Sequence, residues 1–175
     1  LSPKESYKTF AHQIADAIPP AGCDNQRGGW YDMMERTLKD GEENYRRVWH
    51  DRKAWWQQEQ GILAYYIMAG VYNDKPDYLR FAREGSAFYN GWFLDYESGG
   101  IYFNVLANGQ PYALGSERGK GSHSMAGYHS FELCFLAAIY SNLLVTKQPM
   151  DFYFRPDPQG WPDNKLRVAP DLLPA

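Results

Sequence analysis

The residues best suited to chemistry fall in two short clusters. The first is Trp55-Trp56-Gln57-Gln58-Glu59-Gln60, an aromatic pair followed by amides and one carboxylate. The second is Gly127-Tyr128-His129-Ser130-Phe131-Glu132, preceded by Ser122-His123-Ser124. His129 and Glu132 are three residues apart, and Trp55 and Glu59 are four apart, so on helices each pair shares a face. A histidine near a helix N-terminus has its neutral form favoured by the positive end of the dipole, which suits a general base. Glutamine amides both donate and accept, so they can bind hydroxyls. Flat aromatic faces beside such groups fit a sugar ring, with its apolar face and hydroxyl rim. The same residues also have a plain structural reading. They would then be aromatic core anchors, a carboxylate favoured by a helix dipole, and a histidine bonded to a neighbour.

Other reactive groups are isolated. His50 and Asp51 are adjacent, but a metal needs three or more converging ligands. His12 falls on the polar side of a helical pattern and reads as solvated surface. Cys23 and Cys134 form neither a disulfide framework nor a zinc spacing, and Cys134 reads as a buried helical thiol. Gly115 to Gly121 lacks the strand-before, helix-after context of a phosphate loop, and no serine nucleophile elbow occurs. Neither metal nor cofactor is expected.

The elements that must position these clusters are mainly helices. Residues 3–18 carry Phe10, Ile14, Ala17 and Ile18 at helical spacing, with Ser2-Pro3 as a start signal and Pro19-Pro20 as a stop. Residues 54–72 form a second helix and 76–94 a third, with Tyr78, Phe81, Ala82, Phe88 and Phe93 as its apolar set. A fourth helix covers about residues 124–146. Asn108-Gly109 is a hairpin signal, residues 39–53 read as a solvated loop, and Phe152-Tyr153-Phe154 as a short strand. The chain has 175 residues, 44% hydrophobic and 22% charged, which fits one globular domain. With 18 Lys+Arg against 21 Asp+Glu and no basic block, nucleic acid is not the expected partner. No apolar run reaches the roughly 18 residues of a membrane-spanning helix. Six Trp, 14 Tyr and 9 Phe exceed what a small core commonly needs. The chain opens at Leu1 and ends after Pro170 to Pro174, so it is expected to be a piece of a longer protein. Residues 1–148 would be the domain, and 149–175 a proline-rich tail or the start of a further segment.

An internal repeat organises the middle of the chain. Gly28-Gly29-Trp30-Tyr31 is echoed by Gly99-Gly100-Ile101-Tyr102, and Trp55-Trp56-Gln57-Gln58-Glu59 by Tyr128-His129-Ser130-Phe131-Glu132. Each copy gives a glycine pair with a tyrosine, a long loop, then an aromatic pair and a glutamate entering an apolar helix. Helical hairpins arranged around a ring would place those first turns at a central pocket.

These motifs resemble those of the N-acylglucosamine 2-epimerase and cellobiose 2-epimerase family. Trp55-Trp56-x-Gln58 resembles the family's Trp-Trp-x-Gln-x-Glu motif, and Gly127-Tyr128-His129 its late Pro-Tyr-His segment. Asp95 through Gly99-Gly100-x-Tyr102, then Asn108-Gly109, resembles the Asp-x-x-x-Gly-x-x-Tyr arm between them. The similarity runs over about residues 25–146. It implies an all-α fold of the (α/α)6-barrel or α/α-toroid type, here an incomplete C-terminal portion with long loops or a β-hairpin arm. It also implies inversion at C2 of an aldose, or aldose–ketose interconversion, by two histidines on opposite faces of the sugar. His129 matches the later histidine. No residue matches the earlier one, which belongs to a His-x-x-Glu motif of the N-terminal half. The family's glutamate falls at Gln60, with Glu59 one position earlier.

The expected activity is therefore that of a sugar 2-epimerase or aldose–ketose isomerase working by proton transfer. His129 and Glu59 are the catalytic candidates. Trp55, Trp56, Gln58, Gln60, Tyr128 and Glu132 are the substrate-binding candidates. The expected partner is a small-molecule sugar, with no cofactor, metal, nucleic acid or membrane. One base is not enough for inversion, so the piece alone should be inactive. Apolar faces left by an incomplete ring predict self-association. Two other readings are a non-catalytic carbohydrate-binding module and a glycoside hydrolase or lyase using Glu59 and Glu132 as opposed carboxylates.

Overall fold

A computed structural model describes residues 5–121, 124–125, 127–155, 157 and 165. Its helices are α1 (Glu5–Gly22), α2 (Trp55–Val71), α3 (Pro76–Phe88) and α4 (Tyr128–Tyr140). α3 and α4 each continue into a single π-helical turn, Tyr89–Phe93 and Ser141–Val145. Two short strands, β1 (Arg52–Ala54) and β2 (Asn104–Leu106), pair antiparallel with Lys53 opposite Val105.

Side-chain contacts fix the helix directions. The first turns of α2 and α4 meet where Gln60 bonds Glu132, and their far ends meet where Gly70 abuts Leu144, so these helices run parallel. α1 runs antiparallel to α2, since the Tyr65 hydroxyl donates to Ala15 O at 2.9 Å and that of Tyr72 to Lys8 O at 3.0 Å. α3 is also antiparallel to α2, its C-terminal extension reaching Glu59 through Tyr89. Parallel helices alternating with antiparallel ones are the arrangement expected of hairpins in a ring. The core between them holds Ile62, Tyr78, Phe88, Phe93, Val105 and Ile139, all almost fully buried. Truncating Ile62 to alanine would cost about 2–5 kcal/mol by loss of burial and creation of a cavity. The Trp30 ring fills a slot between α2 and α3 where Gly61 and Gly85 leave room; a Cβ there would lie 2.8 and 2.5 Å from the ring.

Several sequence expectations need correction. α1 does not stop at Pro19-Pro20 but ends at Gly22. Pro19 has no N–H for Ala15 O, and the Tyr65 hydroxyl takes that place. The stripe Phe10, Ile14 and Ile18 is not core: these residues are 62%, 42% and 42% exposed. α4 begins at Tyr128, four residues later than expected. Phe152 to Phe154 form no strand. Cys134 is exposed, and the half-buried thiol is Cys23, pushed up to about 12 by burial. His12 bonds the Tyr78 hydroxyl at 2.7 Å rather than standing free in solvent. The stretch 39–53 is exposed at first but ends in β1, where Lys53 is wholly buried. The Ser2-Pro3 cap, Ser122-His123 and most of the chain beyond residue 155 lie outside the described residues.

Candidate functional site

The loops that deliver α2 and α4 are built on the same turn. Asp24 Oδ1 accepts the backbone N–H groups of Gln26 and Arg27 at 3.0 and 3.1 Å, while Asp24 N donates to Gly29 O and Gly28 N to Asp24 O. Asp95 repeats this with Glu97 and Ser98 at 3.0 Å each, with Asp95 N donating to Gly100 O and Gly99 N to Asp95 O. A lysine from the next loop clamps each turn. Lys53 Nζ donates to Asp24 Oδ2 at 2.8 Å and to Gly28 O at 2.6 Å. Lys120 Nζ donates to Asp95 Oδ2 at 2.6 Å and to Gly99 O at 2.8 Å. The sequence repeat is thus a repeat of structure. Asp24 is held below the usual carboxylate range; burial pushes it up, but the Lys53 bond and two amides outweigh that. The Lys120 bond, with the amides, brings Asp95 to about 2.

β1 and β2 then hand the chain to the site. Arg52 donates to Asp32 Oδ2 at 2.5 Å and to Glu117 Oε2 at 3.0 Å, tying both loops together. Next to it lies a notch of about 210 Å³ walled by Trp55, Trp56 and Phe103, with Arg52, Asp32, Glu117 and Asn104 on its polar side. Asn104 is 1% exposed, and its Oδ1 has no hydrogen-bond partner among the described residues.

Beyond Trp55 the first turns of α2 and α4 place Gln60, His129 and Glu132 together. Gln60 Nε2 donates to Glu132 Oε2 at 2.9 Å and lies 3.3 Å from His129 Nδ1, which is 4.0 Å from Glu132 Oε2. Three rings frame the imidazole: Tyr128 at 4.1 Å, Trp55 at 6.2 Å and Trp56 at 6.4 Å between centroids. Trp55 is buried, whereas Trp56 and Tyr128 are exposed, so the cluster opens to solvent on one side. An imidazole beside an amide and a carboxylate can exchange a proton with a bound hydroxyl or carbon acid.

Two candidates are turned away from this opening. Gln58 is fully buried, and its amide holds the main chain: Oε1 accepts Trp30 N at 2.7 Å, and Nε2 donates to Trp30 O and Ala54 O. It fixes the Trp30 segment to α2 and has nothing left for a sugar hydroxyl. Glu59 is also fully buried. Its Oε1 accepts the Tyr89 hydroxyl at 2.5 Å and the Ser130 hydroxyl at 2.7 Å, while its Oε2 has no partner among the described residues. Burial raises its carboxyl, opposed by those two hydroxyls. Glu59 therefore braces α3 and α4 from beneath, and the carboxylate facing His129 is Glu132. Sequence reasoning missed Asp24, Lys53, Arg52 and Tyr89. The duplicated Asp-x-x-x-Gly-Gly spacing, with one lysine ahead of each helix, was the signal that could have found the first two.

In fold, the chain is part of an α/α barrel. The cellobiose 2-epimerase of Bacillus thermoamylovorans B4167 shares the fold with TM-score 0.55 and 20% identity, over 75% of this chain and 30% of that one. A sugar epimerase from a ruminal bacterium does so with TM-score 0.53 and 18% identity, over 73% of this chain and 30% of that one. The chain thus spans less than a third of the length of these structures. No family model and no curated protein matches the sequence.

Proposed function

We propose that this chain supplies one wall of a sugar 2-epimerase or aldose–ketose isomerase site. The observation that carries the reading is the Gln60–His129–Glu132 cluster at the paired starts of α2 and α4, framed by three aromatic rings. His129 is the acid/base residue, moving the proton on the carbon beside the sugar carbonyl. Gln60 and Glu132 orient its ring. Trp56 and Tyr128 offer flat faces to the pyranose, and the buried Trp55 backs the imidazole from beneath. Proton abstraction leaves an enediolate, so donors must meet the developing oxyanion, and inversion needs a second acid/base group on the opposite face. One face is assigned here.

The hydrolase reading asks for two carboxylates flanking a bond. It is disfavoured because Glu59 is buried under Tyr89 and Ser130 while Glu132 lies at the opening. A non-catalytic sugar-binding role stays the second reading, since Gln60 stands where the resembling family carries a glutamate. Incubating full-length protein with N-acetylglucosamine, mannose, glucose and cellobiose in D2O separates the two. Exchange at the C2 proton, followed by NMR, should occur with one of these sugars and fall by at least about a hundredfold in His129→Ala. Folded protein that binds sugar without any exchange would move the assignment to the binding module.

A further inference from the structure

On the outer side of the Asp24 turn, a cleft of about 1060 Å³ opens between the end of α1 and residues 44–51. None of the residues around His129 lines it. Its size is at the upper end of small-molecule pockets, enough for more than one sugar ring. Arg27 and Arg47 stand on its walls, and among the described residues no carboxylate pairs with either. Arg47 instead lies over the Tyr31 ring, 5.3 Å from its centroid. The other charges there do not cancel them: Asp24 is neutralised by Lys53 and Arg46 by Glu42, which leaves, among the described residues, Asp51 as the one unpaired acid against two unpaired guanidinium groups. Trp49 is 58% exposed on the cleft wall, held by Arg52 stacked at 4.4 Å. His50, also on the wall, engages the Tyr112 hydroxyl at 3.3 Å through Nε2, while its buried Nδ1 has no partner among the described residues.

We propose that this cleft binds an anionic saccharide, its phosphate or carboxylate on Arg27 and Arg47 and a ring face on Trp49. Guanidinium forks match both anions in geometry, and an exposed indole held in place offers a sugar ring a flat apolar surface. The site is independent of the epimerase reading, since it shares no residue with the His129 cluster.

The test is calorimetric titration of full-length protein with glucose, glucose 6-phosphate, glucuronate and inorganic phosphate. Binding of glucose 6-phosphate, glucuronate or both at least about tenfold tighter than glucose is expected, and the two arms tell phosphate from carboxylate. Inorganic phosphate should bind more weakly than the phosphorylated sugar, because it lacks the ring. Arg47→Gln and Trp49→Ala should each weaken binding of the charged sugars about tenfold or more, with the circular dichroism of both variants like wild type. Equal affinity for glucose and the charged sugars, or retention of charged-sugar binding in both cleft variants, would overturn the proposal.

Discussion

The Asp24 turn and the Asp95 turn share their hydrogen-bond pattern, their glycine pair and their lysine clamp, yet they stand in opposite surroundings. Lys53 is fully buried, its ammonium 3.7 Å from the Phe88 ring centroid, and the turn beneath it is covered by α3. Lys120 keeps 29% of its side chain exposed, and among the described residues no atom lies within 4 Å of a Cβ placed on Gly99. The local device is therefore indifferent to burial; it needs only an aspartate to gather amides, two residues at positive φ and a cation. What burial changes is the consequence of losing the cation. A buried ion pair is costly to break because one charge stays behind without water. An exposed pair is replaced by solvent. The contrast reaches the site as well, since the aromatic wall on α2 stands on the buried turn and His129 on α4 follows the exposed one.

The largest expected effect comes from removing the buried lysine. Lys53→Met strands Asp24 and should lower the unfolding free energy by about 3–5 kcal/mol. Lys120→Met should move the urea midpoint clearly less, because its pair is partly exposed and solvent replaces part of the lost bond. The double variant Lys53→Met/Asp24→Asn should recover part of the loss, because no ion is then left buried. Equal midpoint shifts for the two lysine variants would break the comparison outright.

A smaller effect is expected at the glycines. Gly28 has φ +80°, and a Cβ there would sit 2.6 Å from the backbone oxygen of Glu84. Gly99 has φ +73° with nothing within 4 Å of the added atom. Gly99→Ala should therefore cost only the left-handed backbone, about 1–2 kcal/mol. Gly28→Ala carries that cost plus a displaced α3, and its melting temperature should fall clearly further. Similar melting temperatures for the pair would mean that α3 yields without resistance.

Much of this was legible in the sequence, and for identifiable reasons. The glycine-pair repeat announced the two turns, and helical spacing in residues 76–94 picked out Tyr78, Phe88 and Phe93, which are in the core. Trp55, Gln60, His129 and Glu132 were named from their places at two helix starts, and the structure brings them together. Burial was the hidden variable elsewhere. A glutamine and a glutamate beside a tryptophan pair read as sugar ligands, but α2 turns Gln58 and Glu59 inward, and partners for Glu59 come from residues 89 and 130. No local pattern encodes such distant contacts. Lys53 was hidden in the same way, because a charged residue after an exposed charged loop gives no sign that an aspartate 29 positions earlier will bury it.

The gentlest probe sets two carboxyl groups with opposite pKa shifts against each other across pH. Asp95 is shifted from 3.8 to about 2 by the Lys120 bond, so its folded pKa is depressed. Its contribution is complete above about pH 4 and is lost as pH falls toward 2. Glu59 is shifted the other way from 4.5, raised by burial. Its contribution is complete below about pH 4.5 and is lost as pH rises through the raised value, because a carboxylate with an unpartnered Oε2 must then ionise out of water. Relative to wild type, Asp95→Asn should be least stable at neutral pH and should converge on it between about pH 4 and 2. Glu59→Gln should start near wild type at pH 4 and gain on it toward pH 7. Urea midpoints taken across pH 2–7 read both slopes in one series. Slopes of the same sign would show that Glu59 is stabilised as an anion, which would return it from brace to acid/base candidate and erase the distinction drawn here between the buried carboxylate and Glu132.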